Sequence, residues 1–99
     1  MTFGKKIRQA RESKGLLLRQ IAALLEVDTA TVSKIENGSR NATKKQVIDL
    51  SSILEIPYSS LEASWMGSKI YQLLQQINDP VEALHAAEEQ ILYSSNHKR

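Results

Sequence analysis

Apolar residues along this chain recur at three- and four-residue steps, and short polar interruptions separate one such segment from the next. Phe3, Ile7 and Ala10 fall on one helical face behind Thr2, whose hydroxyl suits a helix cap, and Gly15 supplies a left-handed stop. A second, short helix is predicted over residues 17–25, with Ile21, Leu24 and Leu25 inward and Ala22 small enough for close approach. Glu26-Val27-Asp28 breaks the chain. Asp28 then caps a third helix over Thr29–Asn37, where Val32 and Ile35 share a face and Asn37-Gly38 closes the end.

After a polar loop over residues 39–42, Thr43-Lys44-Lys45-Gln46 has capping-box spacing. It opens a fourth helix to about Glu55, with Val47, Leu50, Ile53 and Leu54 as its buried stripe. Pro57 interrupts, and Ser59-Ser60-Leu61-Glu62 repeats the capping-box pattern, predicting a helix that continues to Ile77. Asp79-Pro80-Val81-Glu82 sets out a cap, a proline at the first helical position and a glutamate at the third. The last helix reaches about Ser94, and residues 95–99 read as a frayed tail. No alternating run bounded by turn signals is present, so the fold class is all-α.

Two short helices joined by three residues, lying between two longer ones, are the informative feature. A nine-residue helix is too short to be stable alone. The pair must therefore hold each other at a fixed crossing through Ala22, Val27, Val32 and Ile35. With Val32 and Ile35 inward, the spare positions are Thr29, Ala30, Ser33 and Lys34, all small or polar, with one base and no acid. A helix presenting such a face at a corner fits the major groove of B-DNA, about 12 Å wide.

Charge changes the picture only when divided along the sequence. The net +2 separates into ten bases against seven acids over residues 1–63, a net +3, and three bases against four acids over residues 64–99, a net −1. A basic first part beside a near-neutral second is compatible with a polyanion-binding surface joined to a protein-contact element, but charge alone favours a solvated surface of scattered charge. The chain is 41% hydrophobic and 24% charged and has no cysteine, which excludes disulfides, Cys-based zinc sites and thiol nucleophiles. No apolar run approaches 18 residues and no basic stretch leads into one, so a soluble cytoplasmic protein is expected.

The ordered set Phe3-Gly4-Lys5-Lys6-Ile7-Arg8, Arg11-Glu12-Ser13-Lys14-Gly15-Leu16, Ile21-Ala22-x-x-Leu25-x-Val27-Asp28, Thr31-Val32-Ser33-Lys34-Ile35-Glu36-Asn37-Gly38 and Leu54-x-Ile56-Pro57 resembles a known family. It is that of the lambda-repressor/Cro-like (Xre-type) helix-turn-helix DNA-binding domains, over about 60 of the 99 residues. The resemblance implies a five-helix domain over residues 1–63, a C-terminal helical hairpin over residues 64–94 serving dimerisation, and no cofactor. It implies that Thr29–Asn37 is the recognition helix, with Thr29, Ala30, Ser33 and Lys34 reading base edges. Lys34 can donate to guanine O6/N7, and Ala30 can meet a thymine methyl. Thr31, Asn37, Arg40, Thr43 and Lys44 fall to phosphate, and Arg11 with Glu36 to a buried ion pair joining the first and third helices.

Two departures stand out. The family usually begins its second helix with Ser or Thr followed by Gln, where this chain has Leu17 and Leu18, so Arg19 or Arg8 would have to replace the lost phosphate contact. Glu26 stands where the family commonly has Gly, at a cost of about 1 kcal/mol if that residue is left-handed.

Beyond residue 63, Trp65, Met66, Ile70, Leu73, Leu74 and Ile77 form one apolar stripe, and Val81, Leu84 and Ile91 a second. They either extend the monomer's core or form a homodimer interface, and the dimer reading is preferred because such readers gain affinity by spanning two half-sites. Two-fold symmetry then predicts recognition helices about 34 Å apart on a palindromic site. An antitoxin-like module, whose C-terminal helices bind a partner protein, is the alternative. His85 between Glu82 and Glu89 is read as a solvated helix face and not as a metal site. Asp49, Glu55 and Glu62 form no acid–base pair and there is no Gly-rich phosphate loop, so no enzyme is expected.

Overall fold

The computed structural model describes residues 1–97, and among these every regular element is helical. The helices are α1 (Phe3–Ser13), α2 (Leu18–Leu25), α3 (Thr29–Asn37), α4 (Lys44–Leu54), α5 (Tyr58–Leu74) and α6 (Pro80–His97). The chain divides into two compact units, Met1–Ser68 and a second beginning at Lys69.

Side-chain oxygens cap the starts of α1, α3 and α4. The Thr2 hydroxyl accepts from the Lys5 N–H at 3.2 Å, and the Asp28 carboxylate accepts from the Thr31 N–H at 2.8 Å. Thr43 and Gln46 satisfy each other's backbone donors at 3.1 and 2.9 Å. The ends turn left-handed. Gly15 and Gly38 take positive φ without strain, but α2 and α4 close on Glu26 (φ 58°) and Glu55 (φ 57°). The Val27 N–H then returns to the Ala22 carbonyl at 3.0 Å, and the Ile56 N–H to that of Ser51 at the same distance, satisfying carbonyls the helices leave open.

One core unites the first unit. Phe3 and Ile7 of α1, Ile21 and Leu25 of α2, Val32 and Ile35 of α3, Val47, Leu50 and Leu54 of α4, and Leu61 and Trp65 of α5 are all buried. Each large aliphatic side chain so placed contributes about 1.5–3 kcal/mol relative to exposure. Both α1 and α2 pack on α3 and on α4, which fixes the crossing of the two short helices. Gly4 is required where α1 meets α3, since a Cβ there would fall 2.7 Å from the Ile35 carbonyl oxygen and closer still to that of Glu36. Lys14 and Glu55 pair across the ends of α1 and α4, and the Phe3 N–H donates to Ser68 Oγ at 3.1 Å.

Several expectations need correction. Leu24 points outward at 58% exposure, because Ile21, Ala22 and Leu25 already fill the inward side of an eight-residue helix. Helix α2 starts one residue later than predicted, with Leu17 as its cap. The second capping box does not form. Helix α5 begins at Tyr58, directly after Pro57, whose carbonyl accepts the Ser60 and Leu61 N–H groups at 3.1 Å, so Ser59 lies inside the first turn. That helix also ends at Leu74 instead of Ile77.

Trp65, assigned above to a dimer interface, is only 8% exposed, and its indole N–H donates to the Ala42 carbonyl at 3.0 Å. It is a core residue, which carries the compact unit through Ser68 and past the boundary expected after residue 63. Residues 95–97 of the expected tail are helical, whereas 98 and 99 lie outside the described residues.

In the second unit the Asp79 carboxylate accepts from the Glu82 N–H at 3.1 Å, starting α6 at Pro80. No residue from Lys69 to Ser95 is buried. No described helix is long and apolar enough to cross a membrane.

Candidate nucleic-acid interface

Helix α3 has two unlike sides. Thr31, Val32, Ile35 and Glu36 are buried, while Thr29, Ala30, Lys34 and Asn37 are exposed and Ser33 is half-buried. Its start is fixed by Asp28, which also accepts the Thr31 hydroxyl at 2.6 Å. Those two bonds from Thr31 hold the Asp28 carboxyl below the usual carboxylate range, helped by the positive charges of Arg40 and Lys34 nearby. The structure thus removes Thr31 from the phosphate-contacting set. The residue is buried, and its one hydroxyl proton is committed to Asp28.

Beneath the helix, Arg11 and Glu36 form a bidentate pair, Nε to Oε2 at 2.7 Å and Nη2 to Oε1 at 3.1 Å. Arg11 Nη1 donates to the Leu16 carbonyl at 2.9 Å. Glu36's hydrogen bonds hold the guanidinium's pKa above its ordinary value, against the opposing effect of burial. Among the described residues no buried side-chain polar atom lacks a partner, so the pair acts as a satisfied strut from α1 to α3.

The bases around α3 are available. Arg19, Lys34, Arg40 and Lys44 are exposed and form no ion pair among the described residues, whereas Arg8, Lys14 and Lys45 are paired with Glu12, Glu55 and Asp49. The Asn37 side-chain oxygen accepts from the Ser39 N–H at 2.9 Å, which leaves its amide NH2 to donate outward. At the start of α4, the Thr43–Gln46 box occupies the Thr43 and Gln46 amides. The Lys44 and Lys45 amides remain as donors that suit an anion.

A cleft of about 230 Å³ adjoins this face, lined by Arg8, Arg11, Leu18, Ser33, Glu36 and Asn37. It joins Leu18, the first residue of α2, to Ser33 on the exposed side of α3. Residue-type reasoning singles out Leu18 only as a departure from the hydrophilic pattern, without assigning it a place at the site.

The remaining residues of the sequence-based assignment lie elsewhere. Met66, Ile70, Leu73, Ile77, Leu84 and Ile91 are exposed, and Leu74 is half-buried. Within the second unit, Tyr71, Leu74, Val81 and Leu84 line an apolar groove of about 400 Å³ with Gln75 and Pro80.

Two short helices locked across a three-residue turn, the second keeping a polar side free beside unpaired bases, define a helix-turn-helix domain. A family profile described as helix-turn-helix matches residues 7–61, and the chain belongs to this family, in its lambda-repressor/Cro-like (Xre-type) branch. It is 38% identical over 63 residues to an uncharacterized HTH-type transcriptional regulator, RghRB, of Bacillus subtilis, covering 63% of this chain and 45% of that protein. It is 39% identical over 61 residues to the HTH-type transcriptional repressor RghR of the same organism, covering 61% and 45%. The chain therefore spans about half the length of the curated relatives it matches. No solved structure gives a significant match.

Proposed function

We propose that this protein is a transcription regulator that binds double-stranded DNA sequence-specifically, as a homodimer on a palindromic operator. The observation that carries the reading is the exposed side of α3, where Thr29, Ala30 and Lys34 stand clear of the core, with Arg40 and Lys44 following in the chain, exposed and forming no ion pair among the described residues. Thr29, Ala30, Ser33 and Lys34 would read base edges in the major groove. Arg19, Asn37, Arg40, Thr43 and Lys44 would hold phosphates and fix the register. The printed names of both relatives, which describe transcriptional regulators, support the same reading.

Dimerisation is supported by the second unit, whose apolar residues find no burial in the monomer. Selection of bound sequences from a random duplex pool tests the proposal. It should return palindromes with half-sites about one DNA turn apart. A pool with no enriched sequence would overturn sequence-specific binding, and enrichment of single, non-repeated sites would overturn the homodimer. A second polypeptide that co-purifies at fixed stoichiometry would instead favour the antitoxin-like arrangement for the same apolar residues.

A further inference from the structure

We propose that Leu18 is a specificity-determining residue of this interface, its side chain meeting the C5 methyl of a thymine next to the base step read by Ser33. The inference rests on the DNA-binding reading above and extends the reading face from α3 to the first turn of α2.

The two leucines at the start of α2 are locally costly. Leu17 occupies the cap position and offers no side-chain oxygen, so the helix start is held only by the Leu17 N–H donating to Gln20 Oε1 at 2.7 Å and by backbone bonds. A hydroxyl or carboxylate there would accept from the open amides of the first turn, which Leu17 cannot do. Leu18 follows at the first helical position and is only partly covered by the core. Its uncovered part lines the same cleft as Ser33 and Asn37 of α3, which places one aliphatic side chain beside the proposed base-reading side.

The groove edges of a duplex present hydrogen-bonding atoms almost everywhere. The one apolar feature among them is the thymine methyl. An aliphatic side chain that cannot hydrogen-bond to a phosphate or a base gains by covering that methyl. Arg8, on the same cleft, has a carboxylate partner in Glu12 at 3.2 Å, Arg11 and Glu36 are paired with each other, and Leu18 is the aliphatic side chain among the residues that line it.

Replacing thymines one at a time by deoxyuridine, in the duplex recovered from the random pool, removes the methyl and nothing else. Wild-type protein should bind about fourfold more weakly for each half-site so substituted at one position, the value of one buried methyl group. Leu18→Gln and Leu18→Ala should still bind the unsubstituted duplex but lose that sensitivity, and Leu18→Met should keep it. A flat scan with the wild-type protein overturns the inference without reference to any variant. Sensitivity that persists unchanged in Leu18→Gln overturns it too, by assigning the methyl to another side chain such as Ala30. In both cases the duplex is still bound, so the DNA-binding reading stands. A pool that yields no bound sequence removes that reading, and this inference with it.

Discussion

Lys34 and Arg40 both act on the Asp28 carboxylate, yet neither forms an ion pair among the described residues, so both are open to a ligand. Their positions divide the work between them. Lys34 rises from the exposed side of α3, whereas Arg40 follows the end of that helix. Lys34→Ala should cost about 1–3 kcal/mol on the selected sequence and relax preference at one base pair. Arg40→Ala should weaken all sequences alike and reduce the salt slope by about one unit, in binding isotherms taken across a salt series. Uniform loss in Lys34→Ala, with base preference unchanged, would move that residue to the phosphate set. Asp28 makes a prediction of its own. Its folded-state pKa lies below the unfolded value, so its stabilising effect is present above the ordinary carboxylate range and disappears as pH falls through the depressed value. Thermal melts between about pH 5 and pH 2 should show this acid loss, and Asp28→Asn should be less stable at neutral pH and show a shallower acid decline.

Helix starts with a side-chain oxygen in place were legible from the sequence. Thr2, Asp28, Thr43 and Asp79 each cap the helix expected of them, because the signal lies within four residues. Where the sequence offered two starts, tertiary packing decided. In α5 the Pro57 carbonyl takes the Ser60 and Leu61 N–H groups, so the helix has begun before Ser59 can act as its cap, and Leu61 and Trp65, four residues apart, enter the core together. Leu24 was illegible for a related reason, since an apolar run from Ile21 to Leu25 has several apolar faces and only α3 and α4 select one. The exposed side of α3 could be read by subtraction once Val32 and Ile35 were placed, but Thr31's commitment to Asp28 depends on a rotamer that no pattern encodes. The ends of helices carry a measurable strain as well. Glu26 closes α2 in the left-handed region, which costs a non-glycine residue about 1–2 kcal/mol. Glu26→Gly should raise stability by roughly 1 kcal/mol in urea unfolding, since the side chain is exposed and the gain is in the backbone. A decrease would mean that Glu26's attraction for Lys45, whose pKa is raised chiefly by its hydrogen bond to Asp49 and only secondarily by Glu26, matters more than the φ angle.

The whole molecule couples a self-sufficient unit to one that is not. The first buries a core drawn from five helices, whereas α6 runs from Pro80 to His97 without burying a side chain that the structure describes. An amphipathic helix gains most of its stability from packing its apolar stripe. Ile70, Leu73, Ile77, Leu84 and Ile91 therefore need a partner surface that the monomer does not supply. In the proposed homodimer a second copy would provide the same stripe under two-fold symmetry and would double the number of α3 helices offered to DNA. Leu73→Lys with Leu84→Lys places charges in that stripe while leaving the first unit's core untouched. On the proposed dimer, sedimentation equilibrium should report a dimer for the wild type and a monomer for this variant. Affinity for the palindrome should fall by about 10²–10⁴-fold, the gain that comes from tethering two sites, while binding to an isolated half-site is unchanged. The melting of the first unit should move little, because neither leucine belongs to its core. If the double variant stays dimeric, association runs through the first unit, where Leu17, Leu24 and Ile48 are exposed aliphatic side chains to substitute next.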